Sequence, residues 1–203
     1  MFAIGHMGIA YLLGKTSAGI LRVKFNLPLI LVLSVLPDID ILFDFILKTD
    51  IHRGPTHSII SAILVFVPFF ILYKQKAVPY FIALISHSLI ADFLIGGQLL
   101  LLWPLSTREF GFFNIKIDSL ANVVLEFTLF VITLIAMVKT RDLLQFLRNS
   151  KLNLFLAIPV FTVLLPTFLS YPLNVPFLLI FPHIFYLVLF VVSVFIALKG
   201  IVK

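Results

Sequence analysis

Long apolar runs separated by short polar segments dominate the chain. A transmembrane α-helix needs about 20 predominantly apolar residues, and five runs approach or exceed that length. They are residues 56–73, 77–102, 119–138, 152–170 and 175–198. None of these runs alternates with a period of two, as the strands of a membrane β-barrel do. The pattern therefore predicts a bundle of transmembrane helices.

Two further apolar runs are interrupted by polar residues. Residues 25–47 would form a sixth span, although Pro37 breaks the run about 12 residues from its start. Residues 2–21 contain His6 and Lys15, so this run predicts either a seventh span or a short interfacial helix. It lacks a preceding basic region and a cleavage-site pattern, and no cleaved signal peptide is expected.

The expected fold class is all-α, a polytopic transmembrane helix bundle of six or seven spans. No repeat or long polar linker divides the sequence. A single integral membrane domain over residues 1–203 is predicted, with candidate functional residues in the half 1–126 and the last spans within 152–198.

Composition supports a membrane protein. The 203 residues are 62% hydrophobic and 12% charged, with a mean hydropathy of +1.19, which is more apolar surface than one soluble core of this size could bury. The chain has no cysteine, so disulfides and cysteine-ligated metal are excluded. Histidine, aspartate and glutamate are left as the strong metal ligands.

The basic residues predict an orientation. If the spans alternate, 11 of the 15 Lys and Arg fall on one side, which the positive-inside rule makes cytoplasmic. The C-terminus is then cytoplasmic, and the segment between Leu36 and Ser58 faces outward. The net charge of +6 is explained by these loops, so nucleic acid is not an expected partner. The cytoplasmic set is Lys15, Arg22, Lys24, Lys74, Lys76, Lys139, Arg141, Arg148, Lys151, Lys199 and Lys203.

The stretch LPDIDILFDFILKTDIHRGPTHS at residues 36–58 concentrates ionisable groups in an apolar chain. Asp38 and Asp40 could cap a helix, or both could point at one divalent cation that relieves their repulsion. Asp44 and Asp50 are interpreted as solvated or capping residues outside the site. Charges in a membrane protein are expected to pair, to bind a cation or to line a wet cavity.

The motif HRGPTHS adds two histidines and an arginine. Gly54 and Pro55 predict a turn that starts a helix, with His57 and Ser58 in its first turn and His52 before it. The two imidazoles could then meet across the turn, although His57 could also be a packing residue. The planar guanidinium of Arg53 suits two-point binding of phosphate.

Two later helices carry the remaining polar groups. His87 and Asp92 in SHSLIADFL combine two ligand types typical of zinc sites. Asn122 and Glu126 follow Asp118 at spacings of four, on one helix face. These three could orient ligands, carry protons or form an interhelical polar seam. His183 has no partner in the sequence pattern and is interpreted as a core histidine.

Together, these motifs resemble the YdjM-like family of membrane-bound metal-dependent hydrolases. The resemblance rests on an N-terminal His6, L-P-D-x-D at 36–40, H-R-x-x-T-H-S at 52–58 and a His/Asp helix ahead of W-P-L-S at 103–106. That family is held to be distantly similar to zinc-dependent phospholipase C and the S1/P1 nucleases. The resemblance implies phosphoester hydrolysis with a metal ligand set of His6, Asp38, Asp40, His52, His57, His87 and Asp92.

One spacing departs from the family pattern, in which the late His and Asp are four residues apart. His87 and Asp92 are five apart, and in a regular α-helix they would point about 140° away from each other. A π-turn brings positions five apart onto one face. We therefore predict a π-turn between His87 and Asp92, with both side chains directed toward the aspartate pair.

The sequence thus favours a membrane-embedded metal-dependent hydrolase acting on a membrane lipid or a lipid-linked phosphate. Zinc is the expected ion, with manganese or magnesium as alternatives, and two or more ions are expected. Asp38 or Asp40 would act as general base and Arg53 would hold the phosphate. Ser58, Asp118, Asn122 and Glu126 would orient the ligands. The alternatives are a metal- or proton-coupled transporter that uses the same cluster, and a scaffold whose polar cluster is structural.

Overall fold

Nine α-helices account for most of the structure, a computed structural model that describes residues 1–49, 51–169 and 174–202. Over these ranges the only strand-like pairing is an isolated antiparallel bridge between Leu99 and Phe110. The α-helices are α1 (Ala3–Ile20), α2 (Leu27–Ser34), α3 (Ile39–Leu47), α4 (Ile59–Tyr73), α5 (Val78–Ser86), α6 (Leu120–Lys139), α7 (Ala157–Pro159), α8 (Leu165–Phe168) and α9 (Phe177–Val202).

Shorter helical turns of two other kinds join these helices. Two stretches are π-helices, His87–Gly96 directly after α5 and Val160–Leu164 between α7 and α8. The 3-10 helices are Pro55–His57, Lys74–Ala77, Asp142–Gln145 and Lys151–Leu156. The all-α prediction is confirmed for the described part of the chain.

Within the described part of the chain, four continuous helical stretches are long and apolar enough to cross a membrane. They are Ile59–Gly96, Leu120–Lys139, Lys151–Phe168 and Phe177–Ile201. Large apolar side chains along α4, α6 and α9 are exposed on the outside of the bundle, as expected where lipid is the solvent. The count of six or seven spans and the cytoplasmic C-terminus stay predictions.

The longest of these stretches, Ile59–Gly96, folds back on itself. Lys74 leaves the helical conformation with φ 49° and ψ −129°, and a short 3-10 helix leads into α5. The rings of Phe66 in α4 and Phe81 in α5 stack with centroids 4.4 Å apart. The two arms therefore lie side by side and return the chain to the end of the bundle where α4 began.

Helix α1 lies inside the bundle and packs against α2, α5 and α6. It is buried along most of its length by the other helices, and whether residues 2–21 form a span or an interfacial helix stays open. Glycines allow the close packing: a Cβ atom on Gly8 would lie 3.1 Å from Leu129 Cβ in α6. Small residues at such contacts are typical of helix packing in membranes.

The sequence predicted several helix boundaries and missed two. The expected break within residues 25–47 is confirmed, since α2 ends at Ser34 and α3 starts at Ile39. The expected run 77–102 is wrong at its end, because the helix stops at Gly96. Residues 99–102 are all leucine but bond to other loops: Leu99 pairs with Phe110 and the Leu100 amide donates to the Arg53 carbonyl. The helix after HRGPTHS also begins later than expected, at Ile59.

Candidate metal centre

The predicted π-turn is confirmed, and it places His87 and Asp92 together. The π-helix begins at His87, so residues five apart share one face. His87 Nε2 lies 3.3 Å from Asp92 Oδ2 and 3.3 Å from Asp38 Oδ1. Both side chains are buried and directed toward the start of α3, as predicted.

A neighbouring loop caps the end of this π-helix. Three of its last carbonyls, those of Phe93, Leu94 and Ile95, accept hydrogen bonds from the amides of Phe112, Phe113 and Ile115. Carbonyls at the end of a helix need such partners when water is excluded. The loop therefore stabilises the helical irregularity that aligns His87 with Asp92.

The HRGPTHS segment brings two more histidines to the same place. Pro55–His57 forms one 3-10 turn, and the Ser58 hydroxyl caps α4 by accepting from the amides of Ile60 and Ser61. Ser58 also donates to the Trp103 carbonyl at 2.5 Å. The predicted helical turn around His57 is thus a 3-10 turn, and Ser58 ties the motif to the following loop rather than contacting an imidazole.

The seven predicted ligands fall into two groups. Asp38, Asp40, His52 and His57 form one group, and His6, His87 and Asp92 form the other. Within each group the candidate ligand atoms all lie within 4.8 Å of one another. The groups adjoin, since the rings of His6 and His87 stack at 3.9 Å between centroids and His57 Nε2 is 3.1 Å from His87 Nε2.

Four atoms drawn from both groups form a still tighter set. They are Asp38 Oδ1, His57 Nε2, His87 Nε2 and Asp92 Oδ2, and five of the distances among them lie between 3.1 and 3.4 Å. Tetrahedral zinc with ligand bonds of about 2.0–2.1 Å would hold its four donors about 3.3 Å apart. We call these four atoms the four-donor set.

Hydrogen bonds fix the imidazoles from behind. His87 Nδ1 lies 2.7 Å from the Ser34 carbonyl, which can only accept, so Nδ1 carries a proton and Nε2 is the nitrogen that faces Asp38 and Asp92. His57 Nδ1 lies 3.2 Å from Asp40 Oδ2 and 3.0 Å from the Thr56 hydroxyl. His52 Nδ1 lies 2.9 Å from Asp40 Oδ1. Metal-binding histidines commonly have such contacts on the nitrogen opposite the metal.

Comparison with known proteins places the chain in a family. The family model described as YdjM inner membrane protein matches residues 1–199. The chain belongs to this family. Neither a curated protein nor a solved structure matches it. The chain is therefore a membrane protein of the YdjM family with a His/Asp cluster that could hold a metal ion.

A cavity of about 300 Å³ adjoins the cluster. His6, Asp38, His52, Arg53 and Asp92 line its polar end. Apolar side chains, among them Phe2, Ile41, Ile117 and Val163, line the remainder. The cavity therefore combines an ionic wall with space for an apolar group.

Arg53 is held in an uncommon conformation at this polar end. Its φ of 63° lies in the left-handed region, and its carbonyl accepts from the Leu100 amide at 3.0 Å. Arg53 Nη2 is 3.9 Å from Asp92 Oδ1, and the side chain retains partial exposure. The guanidinium thus faces the cavity beside the four-donor set.

The remaining predicted positions lie away from the histidines. Glu126 is fully buried and accepts from the amides of Phe2 and Gly5 at 2.7 and 3.0 Å, while the Asn122 side chain donates to it at 2.7 Å. These two residues hold the start of α1, which carries His6. Asp118 is exposed in the turn before α6 and belongs to neither described ligand group.

Sequence reasoning missed three contributors to the site. Thr56 and the Ser34 carbonyl contact imidazoles, as described above. Asp44 was interpreted as solvated or capping, but it is buried and accepts from the amides of Ile51 and His52 at 2.9 and 3.0 Å. Thr56 could be suspected from the sequence because it lies within the HRGPTHS motif, whereas a contact made by a backbone carbonyl leaves no signal in the sequence. Asp50 lies outside the described residues, and His183 is buried beside Phe2, away from the cluster.

Proposed function

We propose that the chain is a membrane-embedded metal-dependent hydrolase that cleaves a phosphoester of a lipid or lipid-linked substrate. The observation that carries the proposal is the four-donor set, whose spacing matches the ligand shell of a tetrahedral divalent ion. Two imidazole nitrogens and two carboxylate oxygens also have the chemistry that zinc prefers.

The burial of the set supports a bound cation. Asp92 Oδ2 is buried and accepts no hydrogen bond from the described residues, and the same holds for His6 Nδ1. A buried carboxylate oxygen that accepts no hydrogen bond is costly, and a divalent ion shared with the two nearby imidazole nitrogens would compensate it. The ligand residues would be Asp38, His57, His87 and Asp92, with His6 and His52 beside them.

The residues around the cavity suggest how a phosphoester would react. With four protein donors in place, a divalent ion would need a fifth coordination position to polarise the phosphoryl oxygen or to lower the pKa of a water molecule. Arg53 faces the same space and would bind two phosphate oxygens. Asp38 lines the cavity and contributes only one oxygen to the four-donor set. Its second oxygen would accept a proton from the attacking water and pass it to the leaving alcohol oxygen as the phosphorus–oxygen ester bond breaks.

The cavity and its surroundings support a lipid-linked substrate. Its polar end suits a phosphate and its apolar lining suits hydrocarbon. The bundle itself exposes apolar side chains as a lipid-embedded protein does. A phospholipid or a prenyl phosphate has both parts.

The test is metal analysis and hydrolysis by the purified protein in detergent. We expect bound zinc or manganese, and release of product from phospholipid or prenyl phosphate that stops when a chelator is added. Asp92→Asn should lose the ion and at least about 10³-fold in rate, because it removes a donor. Asp118→Asn, at an exposed position, should keep both.

Two results would contradict the proposal. Wild-type protein purified without a divalent ion, and unable to bind one, would exclude the metal centre. Stoichiometric metal without hydrolysis, together with ion uptake into protein-containing vesicles, would instead favour the transporter.

A further inference from the structure

Asp40 differs from the other candidate carboxylates because protein groups occupy both of its oxygens. Oδ1 lies 2.9 Å from His52 Nδ1. Oδ2 accepts from the Thr56 hydroxyl at 2.5 Å and lies 3.2 Å from His57 Nδ1. Asp40 is fully buried, whereas Asp38 and Asp92 face the cavity. Asp40 therefore approaches the cluster from behind the two imidazoles.

The position of Asp40 determines which nitrogen of each imidazole is available to bind a metal ion. A carboxylate only accepts hydrogen bonds, so it stabilises a proton on the Nδ1 atom that faces it. A metal ion would then bind at Nε2, and His57 Nε2 is a member of the four-donor set. One carboxylate would set the tautomer and the ring orientation of two histidines.

We propose that Asp40 is a positioning residue rather than a metal ligand, and that it acts through His57 and His52. The inference rests on the proposed metal centre, and it reassigns the residue that the sequence pattern made both a ligand and a general base. Thr56 completes the arrangement, because its hydroxyl contacts both Asp40 and His57 Nδ1. Thr56 thus holds the carboxylate against the ring that it orients.

The decisive measurement is cobalt binding by the full-length protein in detergent. Cobalt(II) replaces zinc in tetrahedral sites, and its visible absorption reports the ligand set directly. Asp40→Asn should bind Co²⁺ about 10–100-fold more weakly than wild type, as expected for loss of a group that orients a ligand. At saturating Co²⁺ its stoichiometry and spectrum should match the wild type. Asp38→Asn, which replaces a donor, should change the spectrum or lose the ion.

Substitutions at Thr56 provide a second test that leaves every carboxylate in place. Thr56→Val keeps the shape and removes the hydroxyl, and it should weaken Co²⁺ binding by about 3–10-fold through a poorly held Asp40. Thr56→Ser restores the hydroxyl and should return the affinity to within about twofold of wild type. A purely steric role for Thr56 would give the opposite order, with valine tolerated better than serine.

An altered Co²⁺ spectrum or a missing ion in Asp40→Asn would make Asp40 a ligand and overturn the inference. So would unchanged affinity in Asp40→Asn. Failure of wild type to bind Co²⁺ would instead overturn the metal centre itself, which separates the two failures.

Discussion

Gly97 has a backbone conformation that favours glycine, and it lies where a side chain would contact Arg53. Its φ is 132°, in the region that favours glycine. A Cβ atom there would lie 3.1 Å from Arg53 Nη1. The absence of a side chain at Gly97 therefore leaves space for the guanidinium that we propose binds phosphate.

Gly97→Ala should weaken phosphate binding while leaving the metal in place. The new methyl group would displace the Arg53 guanidinium by a few tenths of an ångström or more, and binding of inorganic phosphate to the metal-loaded protein should fall about 10-fold or more. Isothermal titration measures this affinity. Gly19→Ala is the matched control, because a Cβ at Gly19 meets nothing within 4 Å. Equal phosphate affinity in wild type and Gly97→Ala would show that Arg53 does not need this space.

At the scale of single residues, the sequence predicted which ionisable residues belong to the cluster. It did not predict which groups each of them contacts. The predicted ligands assemble because HRGPTHS and L-P-D-x-D supply them in short segments. The environment of each carboxylate was not predictable, since it depends on groups distant in sequence. Asp40 meets Thr56 and His57, 16 and 17 residues later, and His87 meets a carbonyl 53 residues earlier.

Helix α1 shows how one element depends on a residue of another. The first amides of a helix have no partner within it. In α1 the Gly5 amide and the preceding Phe2 amide donate to Glu126 of α6. A carboxylate at this end also interacts favourably with the helix dipole. Glu126 therefore fixes the position of the turn that carries His6.

Glu126→Ala should destabilise the protein and loosen the start of α1. Removing the acceptor leaves the buried Phe2 amide without this bond, at a cost of about 1–3 kcal/mol, whereas the Gly5 amide keeps the Phe2 carbonyl at 3.1 Å. The melting temperature should fall, and amide hydrogen exchange in the first turn of α1 should accelerate. Glu109→Ala, at an exposed position, should leave both measurements within error. Unchanged exchange in Glu126→Ala would show that α1 is held by packing alone.

Among the elements, residue spacing predicted a local irregularity, whereas apolar length located the long helices but not the end of each one. The spacing of five positions from His87 to Asp92 predicted a π-turn, because two side chains five apart in a regular α-helix cannot easily bind one ion. Leu99 to Leu102 extended an apolar run, yet they form a loop that follows Gly97 and bonds to Arg53 and Phe110. In a lipid-embedded chain, loops can be as apolar as spans, so composition does not mark where a helix ends.

At the scale of the whole molecule, the orientation of the bundle in the membrane has to be inferred from charged residues, because packing inside the bundle does not depend on it. The distribution of Lys and Arg predicts that the cluster faces outward, and the folded-back stretch Ile59–Gly96 places both HRGPTHS and His87 at one end of the bundle. Membrane sidedness itself depends on insertion rather than on packing. It stays a prediction.

Cysteine labelling in intact cells tests this orientation without background, because the chain has no native cysteine. Thr107→Cys, in the loop that contacts Ser58, should react with an impermeant thiol reagent. Gln75→Cys, at the turn between α4 and α5, should react only after the membrane is permeabilised. Both positions are exposed. The reverse pattern would place the cluster on the cytoplasmic side.

Asp142 provides a pH-dependent connection between α1 and the segment after α6. Burial alone would raise the pKa of Asp142, but hydrogen bonds from Lys15, Thr140 and Tyr11 outweigh it and hold the pKa below its ordinary value. A carboxyl with a lowered folded-state pKa contributes stability above its unfolded pKa of about 3.9 and loses it as pH falls through the folded pKa.

Asp142→Asn should therefore lower the melting temperature at pH 7, by a few degrees for a loss of about 1 kcal/mol. The difference from wild type should shrink as the pH is lowered below about 4, because wild type then loses the same interaction. Thermal unfolding in detergent between pH 7 and pH 3 measures it. A difference that stays constant over this range would rule out the ionised carboxylate as its source.

The candidate ligands, which end in the folded-back stretch Ile59–Gly96, are synthesised before part of the cavity wall. All seven predicted ligands precede residue 93, whereas Thr162, Val163 and Thr167, which line the cavity, come some 70 residues later. A chain synthesised from its N-terminus therefore delivers every ligand to the membrane before the segment that completes the cavity wall. An ion of the proposed centre could therefore bind before the cavity wall is complete.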